Sequence, residues 1–247
     1  MTPSARRSWL LVPPCEGAVD EALGFDPDVL VVDMVELVTP EARIEAVRRL
    51  PKAVERAVTL GKAEVFLQVN VNQLPEELEA GIRLGVSGVV VPRLQWVAQV
   101  RRCDFLLRRL EKRKGISGGG LQMVASLDTA LGNHRAMELV QASPRVWGAS
   151  LGRADLVMDL RPGPDGEFHL MPYLMQRLVI VAGAAGVTPI GAWWSPPARG
   201  LMAPPRNTYE AAVRGKVLGF RGAFCIRGEQ AKALNRGFDG KSWEEPS

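Results

Sequence analysis

Cysteine is scarce in this chain: three in 247 residues, at Cys15, Cys103 and Cys225, with no paired spacing. An odd count at such spacing gives no disulfide framework, and reduced thiols lead us to expect a cytoplasmic protein. Histidine is scarcer still. His134 and His169 are the two present, and neither is spaced as a metal pair or triad, so both are expected at the surface. No apolar run approaches the ~18 residues of a membrane span. The N-terminal WLLV is stopped by Pro13 and Pro14 and is too short for the apolar core of a signal peptide. No GxGxxG follows the first strand pattern and no phosphate-binding P-loop is present. Ser150 and Ser195 lack a GxSxG setting, and Lys62 and Lys114 precede strands rather than follow them, which argues against acyl-enzyme and Schiff-base chemistry. The net charge is +4, but the basic residues are interspersed with acidic ones. The dense run RRLEKRK (108–114) carries no interleaved aromatic residue, so nucleic acid is not an expected partner.

What is present is alternation. Apolar runs at SWLLV (8–12), DVLVVD (28–33), EVFLQVN (64–70), GVVVP (88–92), LQMVASL (121–127), VWGASLG (146–152), VTPIGAW (187–193) and AFCI (223–226) read as eight strands. Helical patterns separate them. PEARIEAVRRLPKAVERAV carries a candidate break at Pro51, and further helices are expected at 96–113 and 172–186. Gly85, Gly186 and Gly219 are expected to close helices shortly before strands. Nearly continuous apolar strands suit a parallel sheet covered on both faces. The expected fold is therefore an α/β single (β/α)8 TIM barrel, with residues 1–247 forming one domain. An open doubly wound sheet is the runner-up. The glycine-rich GISGGG (115–120) precedes a strand, which argues against a phosphate cradle.

Function in such barrels gathers where strands end. In LVVDMVELVTPEAR the apolar strand ends in Asp33, with Glu36 three residues on. Stability gives no reason for a carboxylate there, because an unpaired buried charge is costly. The other strand ends carry Gln68 and Asn70, Arg93, Asp128, then Arg153, Ala154 and Asp155, and finally Arg227. Asp128 and Asp155 have the alternative reading of helix caps. Two carboxylates from neighbouring strands make a hard oxygen site suited to Mg²⁺ with bound waters, acting as a Lewis acid on an enolate-like species.

The series RSWLLVP, VVDMVELVTPEAR, LQVN, GVVVPRLQ, SLDTALG, SLGRADLVMDL and GFRGAFCIRGEQAKALN is similar, in order and spacing, to the citrate lyase beta-subunit-like branch of the HpcH/HpaI aldolase superfamily. That resemblance implies a (β/α)8 barrel, often a homo-oligomeric trimer or hexamer. It implies cleavage or formation of carbon–carbon bonds in carboxylic acid or acyl-CoA substrates with Mg²⁺ (or Mn²⁺), so a CoA thioester is a candidate substrate. It places the metal on Asp128 and Asp155, and a substrate carboxylate on the backbone around Ala154 and Asp155. Asp33 and Glu36 fall on an acidic DLED-type motif and are the candidate proton-handling residues. Gln68, Asn70, Arg93, Arg153 and Ala154 are the candidate substrate-binding residues. The departures are equally specific. The family's substrate-gripping arginine is Gln68, the acidic motif loses a carboxylate at Val35, the PK motif is Pro92-Arg93, and the IHP-type motif is Ile226-Arg227-Gly228.

The first reading is thus a Mg²⁺-dependent lyase or aldolase with no nucleic-acid or membrane partner. The second is a degenerate, non-catalytic barrel that binds a ligand or partner protein. A phosphate-sugar barrel enzyme is a third, disfavoured because Gly191 and Gly228 are isolated. The proline-rich WWSPPARGLMAPPRN (193–207) is expected to be a structural loop, with a lid or subunit contact as its alternative.

Overall fold

The computed structural model describes residues 5–163, 166–194 and 202–243. All strands pair in parallel in one eight-stranded sheet, in the order β7-β6-β5-β4-β3-β2-β1-β8. With helices alternating between them, this is the (β/α)8 barrel class. The chain divides into two compact units, residues 1–67 with 191–247 and residues 68–190.

In the first unit, β1 (Ser8–Val12), β2 (Val29–Asp33) and β3 (Glu64–Gln68) are separated by α1 (Glu16–Leu23) and α2 (Arg43–Leu60). Strand β1 pairs β2 through Trp9↔Val29 and β8 (Ala223–Cys225) through Trp9↔Phe224. Every residue of β1 and β2 is buried, as a strand covered on both faces requires. Trp9 anchors this core, its ring 4.9 Å from Phe66 and 5.5 Å from Phe224, with the indole N–H donated to the Arg6 carbonyl. Helix α2 buries Ala46, Leu50, Ala53, Val54 and Ala57, one face at helical spacing, and ends on Gly61 at φ 62°. It runs unbroken through Pro51, contrary to the candidate break. A mid-helix proline costs about 3 kcal/mol, and burial of Leu50, Ala53 and Val54 on either side offsets it.

The second unit contains α3 (Leu74–Gly81), β4 (Val86–Val91), α4 (Val97–Lys114), β5 (Gln122–Ser126), α5 (Ala130–His134), α6 (Ala136–Val140), β6 (Val146–Ser150), α7 (Arg153–Leu160), α8 (Gly166–Ala185) and β7 (Thr188–Ile190). The registers Val91↔Ala125 and Ser126↔Ser150 align the carboxyl ends of β4, β5 and β6. Helix α3 stops at Gly81 rather than near Gly85, because Ile82 turns extended and is fully buried. Helix α8 begins at Gly166, six residues before the expected 172, and carries Pro172 inside it. GNHRAMELVQA folds as two short helices, α5 and α6, joined at Arg135. Two more helices belong to the first unit: α9 (Pro205–Leu218), ending on Gly219 at φ 110°, and α10 (Gly228–Asp239). No helix among the described residues is long and apolar enough to cross a membrane.

Candidate active site

Three of the residues singled out from the sequence meet at the carboxyl ends of β4, β5 and β6. Asp128 lies two residues past β5, pointing to the same side as Ser126 by strand alternation, and is almost fully buried. Its Oδ1 accepts a hydrogen bond from the Ser126 hydroxyl at 2.6 Å and from the Gly152 amide at 2.5 Å. Ser150, register partner of Ser126, donates its hydroxyl to the Ser126 oxygen at 2.7 Å. The carboxylate is thus held by a two-serine chain running across adjacent strands. Gly152 is required by this contact, since a Cβ there would lie 2.7 Å from Asp128 Oδ1. Burial pushes the Asp128 carboxyl above the usual range; the Ser126, Arg93 and Gly152 hydrogen bonds work against this, and the charge of nearby Asp155 adds to it.

Arg93 ties the two acids together. It sits just after β4 at φ 56°, in left-handed backbone that most side chains avoid. Its amide donates to Asp128 Oδ2 at 3.1 Å. Its guanidinium donates from Nε to Asp155 Oδ2 at 3.3 Å and from Nη2 to Asp155 Oδ1 at 2.9 Å. This side-on fork is half exposed, with 50% of the arginine and 28% of the aspartate side chain accessible. Asp155 stands in the first turn of α7, whose N-cap is Gly152. The capping alternative fails for Asp128: Thr129 is the N-cap of α5, its hydroxyl accepting from the Gly132 amide.

The other sequence candidates lie as follows. Gln68 is buried at the end of β3. Asn70 turns inward on its own loop, its amide donating to Glu77 and its Oδ1 accepting from the Asn72 amide. Arg153 and Ala154 form the start of α7 beside Asp155, and their side chains lie outside the described residues. In the first unit, Asp33 closes β2 fully buried, and its carboxylate accepts the backbone amides of Val35, Glu36 and Leu37. Burial raises its carboxyl to about 6 against the pull of those amides. That answers the puzzle of its position locally: the acid organises the turn that carries exposed Glu36. At the β8 end, Gly228 stands where a Cβ would meet the Phe25 ring at 2.0 Å, so the backbone packs against that ring in a way that only glycine allows. Of the stretch 193–207, residues 195–201 lie outside the described residues; Trp193 donates its amide to Ala211 and accepts from Arg214.

Sequence reasoning missed Ser126 and the Gly152 amide. The signal existed in part: Ser126 is two residues before Asp128 on one strand face, but only the pairing of β5 with β6 brings Ser150 beneath it. As a metal-holding set the donors are oxygens alone. Asp128 Oδ1 has both lone-pair directions filled, while Oδ2, with the Arg93 amide, keeps one acceptor direction; Asp155 offers a second carboxylate against Arg93. Such a pair fits a hard divalent cation completed by water or substrate oxygens. Among the described residues no group of three His, Cys, Asp or Glu gathers for a metal.

A fold of parallel strands alternating with helices is that of the (β/α)8 barrels, the class whose enzymes carry their chemistry at the carboxyl ends of the strands. The chain belongs to the HpcH/HpaI aldolase/citrate lyase family, whose model matches residues 16–228. It is similar to citrate lyase subunit beta of Escherichia coli (strain K12), 27% identical over 236 residues covering 93% of this chain and 76% of the relative. Among solved structures it is similar to the citrate lyase beta subunit of M. tuberculosis complexed with oxaloacetate and magnesium, with a TM-score of 0.71 at 19% identity, covering 95% of this chain and 97% of the other. The Haloferax volcanii malate synthase magnesium/glyoxylate complex gives 0.79 at 18% identity, covering 100% of this chain and 80% of the other.

Proposed function

We propose that this chain is a Mg²⁺-dependent carbon–carbon lyase of the aldolase type, acting on a small carboxylic acid or its CoA thioester. The observation that carries the reading is the meeting of Asp128 and Asp155 around Arg93 at the ends of β5 and β6. Support also comes from family membership and from a structural relative that holds oxaloacetate and magnesium. Mg²⁺, or Mn²⁺ in its place, would rest on Asp128 and Asp155 and supply Lewis acidity that stabilises enolate charge on the substrate.

The remaining work falls to the chain. Ser126 and the Gly152 amide fix the orientation of Asp128, so its free oxygen direction is preset. The first-turn amides of α7, at Arg153, Ala154 and Asp155, have no partner within the helix and suit a substrate carboxylate. Arg93 adds a cation for that anion. Gln68 and Asn70 supply neutral hydrogen-bonding groups where the family carries an arginine. Asp33 and Glu36 are the proposed proton-handling pair. Residues 1–247 act as one catalytic domain, in a cytoplasmic homo-oligomer of three or six copies.

A second reading, a barrel that binds a ligand or partner without catalysis, is favoured by Gln68 in place of the gripping arginine and by the fork that Arg93 places on Asp155. Calorimetric titration with Mg²⁺ and Mn²⁺ separates the two. Binding that disappears in Asp128→Ala supports the lyase. Absence of binding at roughly millimolar metal, a concentration weak Mg²⁺ sites still register, supports the second reading.

A further inference from the structure

We propose that Arg93 is an internal counter-ion which a divalent cation displaces from Asp155, so that metal binding and presentation of a carboxylate-gripping guanidinium are one event. The inference rests on the reading of Asp128 and Asp155 as the metal-holding pair.

Three features carry it. First, Arg93 touches both acids by different atoms, its amide on Asp128 Oδ2 and its guanidinium on Asp155. The positive charge of the side chain therefore stands in for the charge a cation would bring. Second, the contact is a two-nitrogen fork, with Nε and Nη2 each meeting one oxygen of Asp155. The lysine of the PK motif that the resemblance assigns to this position has no such geometry. Third, the pair is exchangeable. An ion pair with 50% of its arginine side chain exposed is worth at most about 1 kcal/mol, because water competes for both partners. A divalent ion facing two carboxylates gains more than this and takes Asp155.

The backbone anchor makes the exchange productive. The hydrogen bond that the Arg93 amide donates to Asp128 and the left-handed φ of 56° hold the Arg93 Cα in place while the side chain turns. A released guanidinium stays rooted beside Asp128 and offers its fork to the next carboxylate available, that of the substrate. This compensates for Gln68, which cannot make a charged bidentate contact.

The test uses the full chain, Mn²⁺ followed by electron paramagnetic resonance of the free ion, and pyruvate as the carboxylate probe. Asparagine tolerates left-handed backbone, so Arg93→Asn removes the cation without altering φ. Arg93→Asn is expected to bind Mn²⁺ about two- to fivefold more tightly than the natural chain, the fold-change an exposed ion pair of this kind can supply. In the presence of saturating Mg²⁺ it is expected to bind pyruvate more weakly than the natural chain. Arg93→Lys, which keeps the charge and loses the fork, is expected to fall between the two on both measurements, and serves if the asparagine variant fails to fold. Equal or weaker Mn²⁺ binding by the variants, with binding by the natural chain intact, overturns the exchange and leaves the lyase reading standing. No Mn²⁺ binding by the natural chain overturns both.

Discussion

The unit of residues 68–190 contains two clusters in which one arginine faces two carboxylates, one where α4 meets the start of β6 and the other past the ends of β4 and β5. Before β6, Arg145 donates from Nε to Asp104 and from Nη1 and Nη2 to Glu111, each at 2.6 Å, and from Nη1 to the Leu121 carbonyl at 2.9 Å. Glu111 also accepts the Gly119 and Leu121 amides, and Arg108 completes Asp104. Only 7% of the Arg145 and 3% of the Glu111 side chain is accessible. After β4, Arg93 makes a looser, half-exposed fork and leaves Asp128 with an acceptor direction to spare. In the first cluster Arg145 and Glu111 are buried and every carboxylate oxygen has a partner. The second is incompletely satisfied and open. The same residue types are therefore buried and paired at one end and left partly open at the proposed catalytic end, the face where barrels of this class carry their chemistry.

The electrostatics separate them as well. Burial raises both carboxyls, yet Arg108 and Arg145 outweigh it at Asp104, and Arg145 with the Leu121 and Gly119 amides outweighs it at Glu111, leaving both below the usual range. Burial wins at Asp128, where no guanidinium compensates, and its carboxyl is raised. A lowered carboxyl contributes stability above its unfolded value that is lost as pH falls through its folded value. A raised carboxyl contributes stability below its unfolded value that is lost as pH rises through its folded one.

Replacing Arg145 with Met should produce the largest effect, because it strands the buried Glu111 carboxylate and leaves Asp104 with Arg108 alone. We expect a loss of about 3–5 kcal/mol, read as a shift in urea midpoint; a loss under about 1 kcal/mol would erase the contrast with Arg93. Next comes Gly152→Ala. Its Cβ would sit 2.7 Å from Asp128 Oδ1, and the displaced carboxylate should cost roughly 1–3 kcal/mol and weaken divalent binding by calorimetry. Ser126→Ala should be milder, about 1 kcal/mol, but should lower metal affinity by loosening Asp128; unchanged affinity would mean the serine chain is packing alone. Asp33 has a folded value of about 6 against an ordinary 3.8, so its contribution falls as pH rises between those values. Asp33→Asn should flatten the pH dependence of stability in that window, and a slope identical to the natural chain would remove Asp33 as its source.

The eight strands and the acids at their ends were legible because local signals define them. Apolar runs of strand length, separated by helical periodicity, leave few other folds, and Asp33, Asp128 and Asp155 interrupt or follow those runs visibly. Pro51 misled because propensity is a local quantity and the burial of Leu50, Ala53 and Val54 is not. The start of α8 misled for a similar reason, since Pro172 lies inside the helix and does not open it. Arg93 was expected at substrate; its fork on Asp155 arises from side-chain geometry across β4 and α7 that no spacing encodes.

The sequence by itself determined the alternation, the all-oxygen character of the donors and the family, because each follows from residue type and order along the chain. Only the tertiary structure decided that Ser150 supports Ser126 beneath Asp128, that a glycine must stand at 152, and that one arginine spans both acids. Those are contacts between strands brought side by side by parallel pairing, and their distances depend on register and burial rather than on sequence separation.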